Sequence, residues 1–294
     1  MIDMHPSPFK RKVISPYEEL LAYEALWNGE KATVKTIAEL FLHSSDRMPS
    51  ELAPKEKIDE AEVYIRQILN TDIGYEFNFL LRGSFEYPDD LLSARYPAQA
   101  LYYSGDLSLL ETRKIAVVGS RKPSSDGVKR AEKITRLLVN DGFTIVSGLA
   151  EGIDTVAHTT AIKNAGQTIG VIGTPIETFY PKSNVELQKF IAQHHLLVSQ
   201  VPIMHYHNMH YLGQKIFFPE RNKTMSALSE ATVIVEASDT SGTLIQAKAA
   251  MEQGRKLFIL DSCFLNPGIS WPSKYEGREN VFRVKEYSDL INNL

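Results

Sequence analysis

From Lys114 onward, short apolar runs alternate with amphipathic stretches, and no other feature of the chain restricts its fold so tightly. The apolar runs fall at 115–118, 143–146, 168–172, 196–198, 232–235 and 256–260. Helical spacing occupies 126–140, 153–164, 184–193 and 241–253 between them. Strands that are apolar throughout must be covered on both faces, so the pattern specifies an α/β, Rossmann-like fold with a mostly parallel sheet. Crossovers in such a sheet are right-handed. Gly142, Gly166 and Gly254 suit the positions just past helix ends.

The first third reads differently. Tyr17, Leu20, Leu21, Ala25 and Leu26 recur at helical spacing, as do Val34, Ile37, Ala38 and Phe41. Residues 44–57 are polar with two prolines and read as a loop, and 58–69 as a third helix. The expected organisation is a small helical N-terminal domain at 1–72 and a Rossmann-like domain at 73–294. Within the latter, 73–113 form a connector with short strands and turns.

Charge and cysteine content narrow the function. The net charge is -4, but residues 1–110 hold 11 basic and 18 acidic side chains, the remainder 21 and 18. A polyanion site is therefore expected in the second part. A single cysteine, Cys263, allows no disulfide within the chain and suits a reducing cytoplasm. Residues 1–13 lack the apolar stretch of a signal peptide, and no apolar run is long enough to cross a membrane. Few charges and many apolar residues at 257–272 hint at a self-association surface.

Open parallel sheets bind ligands beyond the carboxyl ends of their strands. The first run is followed by Gly119-Ser120-Arg121, then by Ser125 or Asp126 as helix cap. Backbone N–H groups at a helix start make an anion site, and the Arg121 fork suits phosphate. The second run ends in Ser147-Gly148 and continues to Glu151, Gly152 and Asp154, with His158 one turn further on. That pair suits proton transfer or plain packing, the latter favoured. Ahead of the fifth run stand Phe217, Phe218, Arg221, Asn222 and Lys223. They read as a polar turn with two cations, an amide and aromatic stacking surface. Ser241-Gly242-Thr243 forms a third such turn. Neither the Walker A spacing nor the dinucleotide fingerprint is present. His205, His207 and His210 approach the spacing of binuclear hydrolases, but Met209 stands where their aspartate belongs. A partly exposed loop at 202–214 is the simpler reading, and no metal or cofactor is expected.

These residues, in order with Tyr87-Pro88, Tyr180-Pro181, Phe218-Pro219-Glu220-Arg221-Asn222 and Gly254-Arg255, resemble the DNA-processing protein family DprA, also called Smf. The resemblance implies an extended Rossmann fold, single-stranded DNA binding, homodimerisation and delivery of DNA to a RecA-type recombinase, without enzymatic activity. It implies a DNA site at Arg121, Arg221 with Lys223, and Ser241-Gly242. Glu151 and Lys223 depart from the family, which usually has Arg at both. Two other readings compete. A small-nucleotide sensor would use the same loops. A phosphoribohydrolase of the same superfamily would need a glutamate where Gln246 stands, unless Asp154 or Glu151 replaced it.

Overall fold

A computed structural model of the chain describes residues 15–44 and 47–294. The polar segment at 1–13 lies outside the described residues. Helices α1 (Pro16–Trp27), α2 (Val34–His43), α3 (Pro49–Leu52) and α4 (Lys55–Leu69) come first. Ser15 caps α1 by accepting the N–H of Glu18, and Thr33 and Thr36 cap α2 reciprocally. The loop expected at 44–57 thus contains a helical turn and the start of α4. Its prolines, read as breakers, sit at the first position of α3 and the cap of α4, where a missing N–H costs nothing.

Strands β1 (Asn78–Leu81) and β2 (Ala100–Gly105) lead into β3 (Lys114–Val118), α5 (Ser125–Asn140), β4 (Thr144–Ser147), α6 (Ile153–Lys163), β5 (Thr168–Ile172), α7 (Val185–His194) and β6 (Leu196–Ser199). Then follow α8 (Ile203–Asn208), α9 (Tyr211–Gln214), α10 (Phe217–Ala227), β7 (Ala231–Ile234), α11 (Thr243–Glu252), β8 (Lys256–Leu260), α12 (Asp261–Phe264), β9 (Val281–Val284) and α13 (Tyr287–Ile291). All nine strands form one sheet in the order β1-β2-β6-β5-β4-β3-β7-β8-β9. Pairing is parallel from β6 to β9, and antiparallel only where β1 meets β2 and β2 meets β6. The mostly parallel α/β sheet read from the sequence is therefore present, extended by three strands that the apolar runs did not mark.

Alternation within each strand builds two cores. Ala116 and Val118 point into one cluster with Val171, Met225 and Trp271, whereas Ile115 and Val117 join Ile134, Leu138 and Ala157 on the opposite face. A third cluster joins Leu20, Leu21 and Ile65 of the N-terminal helices to Tyr102, Ile172 and Leu197 of the sheet. The apolar residues at 257–260 belong to β8, an inner strand, and Trp271 is fully buried, so these residues offer no surface, while Leu265 between them is exposed. Gly142 and Gly254 take the left-handed conformation past helix ends, but after α6 that role falls to Ala165 rather than Gly166. The loop expected at 202–214 is also corrected. It holds α8 and α9, with Ile203, Met204 and Tyr206 buried.

One buried carboxylate ties α1 to this region. Glu24 accepts the Tyr102 hydroxyl and the N–H groups of Ile203 (2.8 Å) and Met204 (2.9 Å), satisfying open donors at the start of α8. Burial pushes its pKa up to about 7, against the pull of those hydrogen bonds. An unfolded glutamate titrates at about 4.3. The folded state holds its proton more tightly, so this group's contribution to stability is greatest below about pH 4.3 and declines as pH rises to about 7. Glu24→Gln is expected to flatten that decline. Thermal melts at pH 5 and pH 8 test it, and an unchanged difference between the two pH values would count against the assignment.

Candidate anion-binding cleft

The strand order reverses beside β3, with β4, β5 and β6 on one side and β7, β8 and β9 on the other. At the carboxyl ends of β3 and β7 a cleft of about 450 Å³ opens. This is the place where a doubly wound sheet leaves room for a ligand.

Three turns build its wall and brace one another. Ser120 N–H donates to the carbonyl of Glu236 at the end of β7 (2.7 Å). Thr243 Oγ1 donates to the carbonyl of Gly119 (3.2 Å), and Asn222 Nδ2 to that of Gly242 (3.0 Å). Ser241 Oγ accepts the N–H of Thr243 (3.2 Å) at the start of α11. Gly152, with φ of 80°, lets the loop between β4 and α6 close on the Arg121 turn. A Cβ there would lie 2.7 Å from the Arg121 carbonyl oxygen. The cap of α5 is Ser124, one residue before the pair expected from sequence, accepting the N–H of Gly127 (3.0 Å). Its hydroxyl donates to Glu236 (2.6 Å).

Of the residues singled out in the sequence, Gly119, Ser120, Arg121, Arg221, Asn222, Ser241, Gly242 and Thr243 line the cleft, as do Asp154 and Gln246. Ser147, Gly148, Phe218 and Lys223 do not. Ser147 is buried and donates to the carbonyl of Val117 (2.7 Å). Gly148 lies behind the wall, where the absence of a side chain makes room for Arg221 and Asp154. Phe218 packs over Gly173 and against Tyr180. Lys223 pairs with Glu220 (2.7 Å) in a groove outside α10 and α11. Glu151 also stays out of the cleft, accepting the Ser183 hydroxyl (2.7 Å).

Arg221 requires the largest correction. It lies on α10, not in a polar turn, and is 5% exposed. Its guanidinium donates to the carbonyls of Gly148 and Val171 (2.8 Å for the latter), and Nε donates to Asn222 Oδ1 (2.9 Å). Desolvation lowers its pKa and the nearby Asp154 carboxylate opposes that. Burial raises the pKa of Asp154, which Arg221 and the N–H of Ala150 counteract. His158 bonds to Thr168 (2.7 Å) and burial drives its pKa down to about 3, so it is a packed neutral ring.

The cations open to a ligand are Arg121 and Lys122. Both are exposed, both line the cleft, and neither side chain makes a hydrogen bond or ion pair among the described residues. Sequence reasoning passed over Lys122, although two consecutive cations after Gly119-Ser120 were legible. It also passed over Met225 and Ala150, which give the cleft an apolar portion. The three histidines part company. His205 lies against Trp27 (ring centroids 5.4 Å apart), His207 bonds to Glu177 (2.7 Å), and His210 is exposed. Among the described residues no group of three or more His, Cys, Asp or Glu is arranged to hold a metal ion. Among them too, no helix is long and apolar enough to cross a membrane.

Residues 78–283, from the start of β1 into β9, match the family model for DNA recombination-mediator protein A. The chain belongs to the DprA/Smf family. It is 42% identical over 205 residues to DNA processing protein DprA of Streptococcus pneumoniae, covering 70% of each chain. To the Bacillus subtilis protein of the same name it is 35% identical over 249 residues, 84% of this chain and 82% of that one. The solved DprA structure from Streptococcus pneumoniae covers 95% of this chain and 98% of that one, with a TM-score of 0.68 and 31% identity. DprA from Helicobacter pylori, whose structure concerns its single-stranded DNA binding mode, gives 0.64 at 25% identity, covering 76% and 97%. Membership in DprA/Smf makes this a DNA-processing, recombination-mediator type of chain.

Proposed function

We propose that the cleft binds the sugar–phosphate backbone of single-stranded DNA, with little sequence preference. The observation that carries this reading is the pair Arg121 and Lys122, exposed and unpaired on the wall of the cleft. The Helicobacter pylori relative, a single-stranded DNA binder, supports it. The same reading has the chain act in recombination as a homodimer that hands single strands to a RecA-type recombinase. Gln246 weighs against a phosphoribohydrolase, because its amide is 1% exposed and donates to Thr232 (3.2 Å). An amide at that place transfers no proton.

Anisotropy titrations of labelled oligo-dT test the proposal. Affinity should fall with salt by about 0.7 log units per log unit of salt for each phosphate contacted. Salt-independent binding, or preference for duplex, would overturn it. Thermal shifts separate the nucleotide-sensor reading, since a ligand of the native state raises its melting temperature. Oligo-dT should do so, and a nucleoside-phosphate panel should not. Light scattering with and without DNA tests the dimer.

A further inference from the structure

The edge that carries the cleft continues toward β5, and an aromatic pair stands there outside the cleft. Tyr180 is 43% exposed, and its ring centroid lies 5.4 Å from that of Phe218. Phe218 rests on Gly173, the residue after β5, where a Cβ would come within 2.7 Å of the ring. In the sheet β5 is next to β4, and β4 next to β3. At about 4.8 Å per strand, the pair sits roughly 10 Å along the same edge from the Arg121 turn. Phe218 also precedes Arg221 and Asn222 by three and four residues on α10, one turn away on the same side.

The segment bearing Tyr180 is fastened to the cleft wall. Ser183 donates to Glu151 (2.7 Å), and Asn184 Nδ2 donates to the carbonyl of Leu149 (2.9 Å) and to Thr155 (2.8 Å). Leu149 and Glu151 flank Ala150, which lines the cleft. Tyr180 is therefore held at a fixed place beside the cleft, and its hydroxyl has no hydrogen-bond partner among the described residues.

We infer that Tyr180 is a stacking platform for a base of the single strand that leaves the cleft toward β5, with Phe218 backing its ring. This rests on the reading of the cleft as a single-stranded DNA site. A flat, braced aromatic beside unpaired cations matches the way single strands are held, phosphates on charge and bases on rings. Every base has a stacking face, so such a platform adds affinity without sequence preference. It also gives Glu151 a task, since its bond to Ser183 helps fasten the platform.

The test uses the full chain, oligo-dT, and the same oligonucleotide with a single abasic position or a single 2-aminopurine moved along it. Tyr180→Ala should weaken oligo-dT binding about tenfold. It should also abolish the quenching of 2-aminopurine at one position. Tyr180→Phe should keep both. One abasic position should weaken the wild type by a similar factor and leave Tyr180→Ala almost unaffected. Equal affinity and equal quenching in wild type and Tyr180→Ala would overturn the inference while the cleft reading survives. A wild type that does not bind oligo-dT would remove the cleft reading first. If Tyr180→Ala fails to fold, Tyr180→Phe and the abasic scan on the wild type decide. A scan with no sensitive position would overturn the platform.

Discussion

Replacing Arg221 by alanine is expected to lower the unfolding free energy by about 3–5 kcal/mol, because it removes one partner from a buried charged network. Two backbone carbonyls, of Gly148 and Val171, lose their donor, and Asn222 Oδ1 loses the Nε–H. The Asp154 carboxylate, already raised in pKa by burial, loses the cation that opposes the rise. Asn222 also holds the Gly242 turn, so the damage reaches the wall of the cleft. Total stabilities are typically ~5–15 kcal/mol, so this one change takes a large share. Chemical unfolding at pH 7 measures it. Arg221→Lys should fall between, since an ammonium keeps the charge but not the planar fork. Adding Asp154→Asn to Arg221→Ala should recover part of the loss by removing the stranded charge. A wild-type midpoint in Arg221→Ala would show that the buried network contributes little. Lost DNA binding by this variant cannot be read as a lost DNA contact unless the protein is shown to be folded.

Arg221 also marks where the sequence ceased to be legible. The inner strands announced themselves, because strands buried on both faces are apolar throughout, and the turns after them carried glycine and hydroxyl residues. Gly119, Ser241 and Thr243 were found that way. The α10 segment was misread because Phe217-Phe218-Pro219 looks like a break. Pro219 sits in the first turn of the helix, where it is tolerated, Phe217 packs inward, and Phe218 lies half-buried over Gly173. Once α10 is helical, Arg221 points beneath the cleft and Lys223 points away from it, a separation that a turn reading cannot express. Strand β9 was missed because an edge strand need not be apolar on both faces, and it is only partly buried along most of its length, whereas β1 and β2 fall in the connector where short strands were expected without bounds. The α8 segment hid behind three histidines in six residues, although Ile203, Met204 and Tyr206 carry its buried side.

Arg121→Glu should leave stability within about 0.5 kcal/mol of wild type, as expected for an exposed side chain without partners. Its effect on single-stranded DNA should be large. A charge-assisted hydrogen bond to phosphate is worth about 1.5–3 kcal/mol, so Arg121→Ala alone should weaken binding about 10- to 150-fold. The glutamate adds repulsion. At an effective dielectric near 20, two like charges about 5 Å apart cost roughly 3 kcal/mol before screening. Salt at physiological strength removes much of that. The loss for Arg121→Glu should therefore exceed about 100-fold at low salt and shrink as salt rises. Arg121→Lys should lie close to wild type in its salt slope, because the charge is kept, and yet bind several-fold more weakly for want of the fork. Titrating all three variants at two salt concentrations, each with a melting curve, separates charge from geometry. If Arg121→Glu binds oligo-dT within threefold of wild type at low salt while remaining folded, phosphate does not enter this cleft, and the strand must be held elsewhere on the molecule.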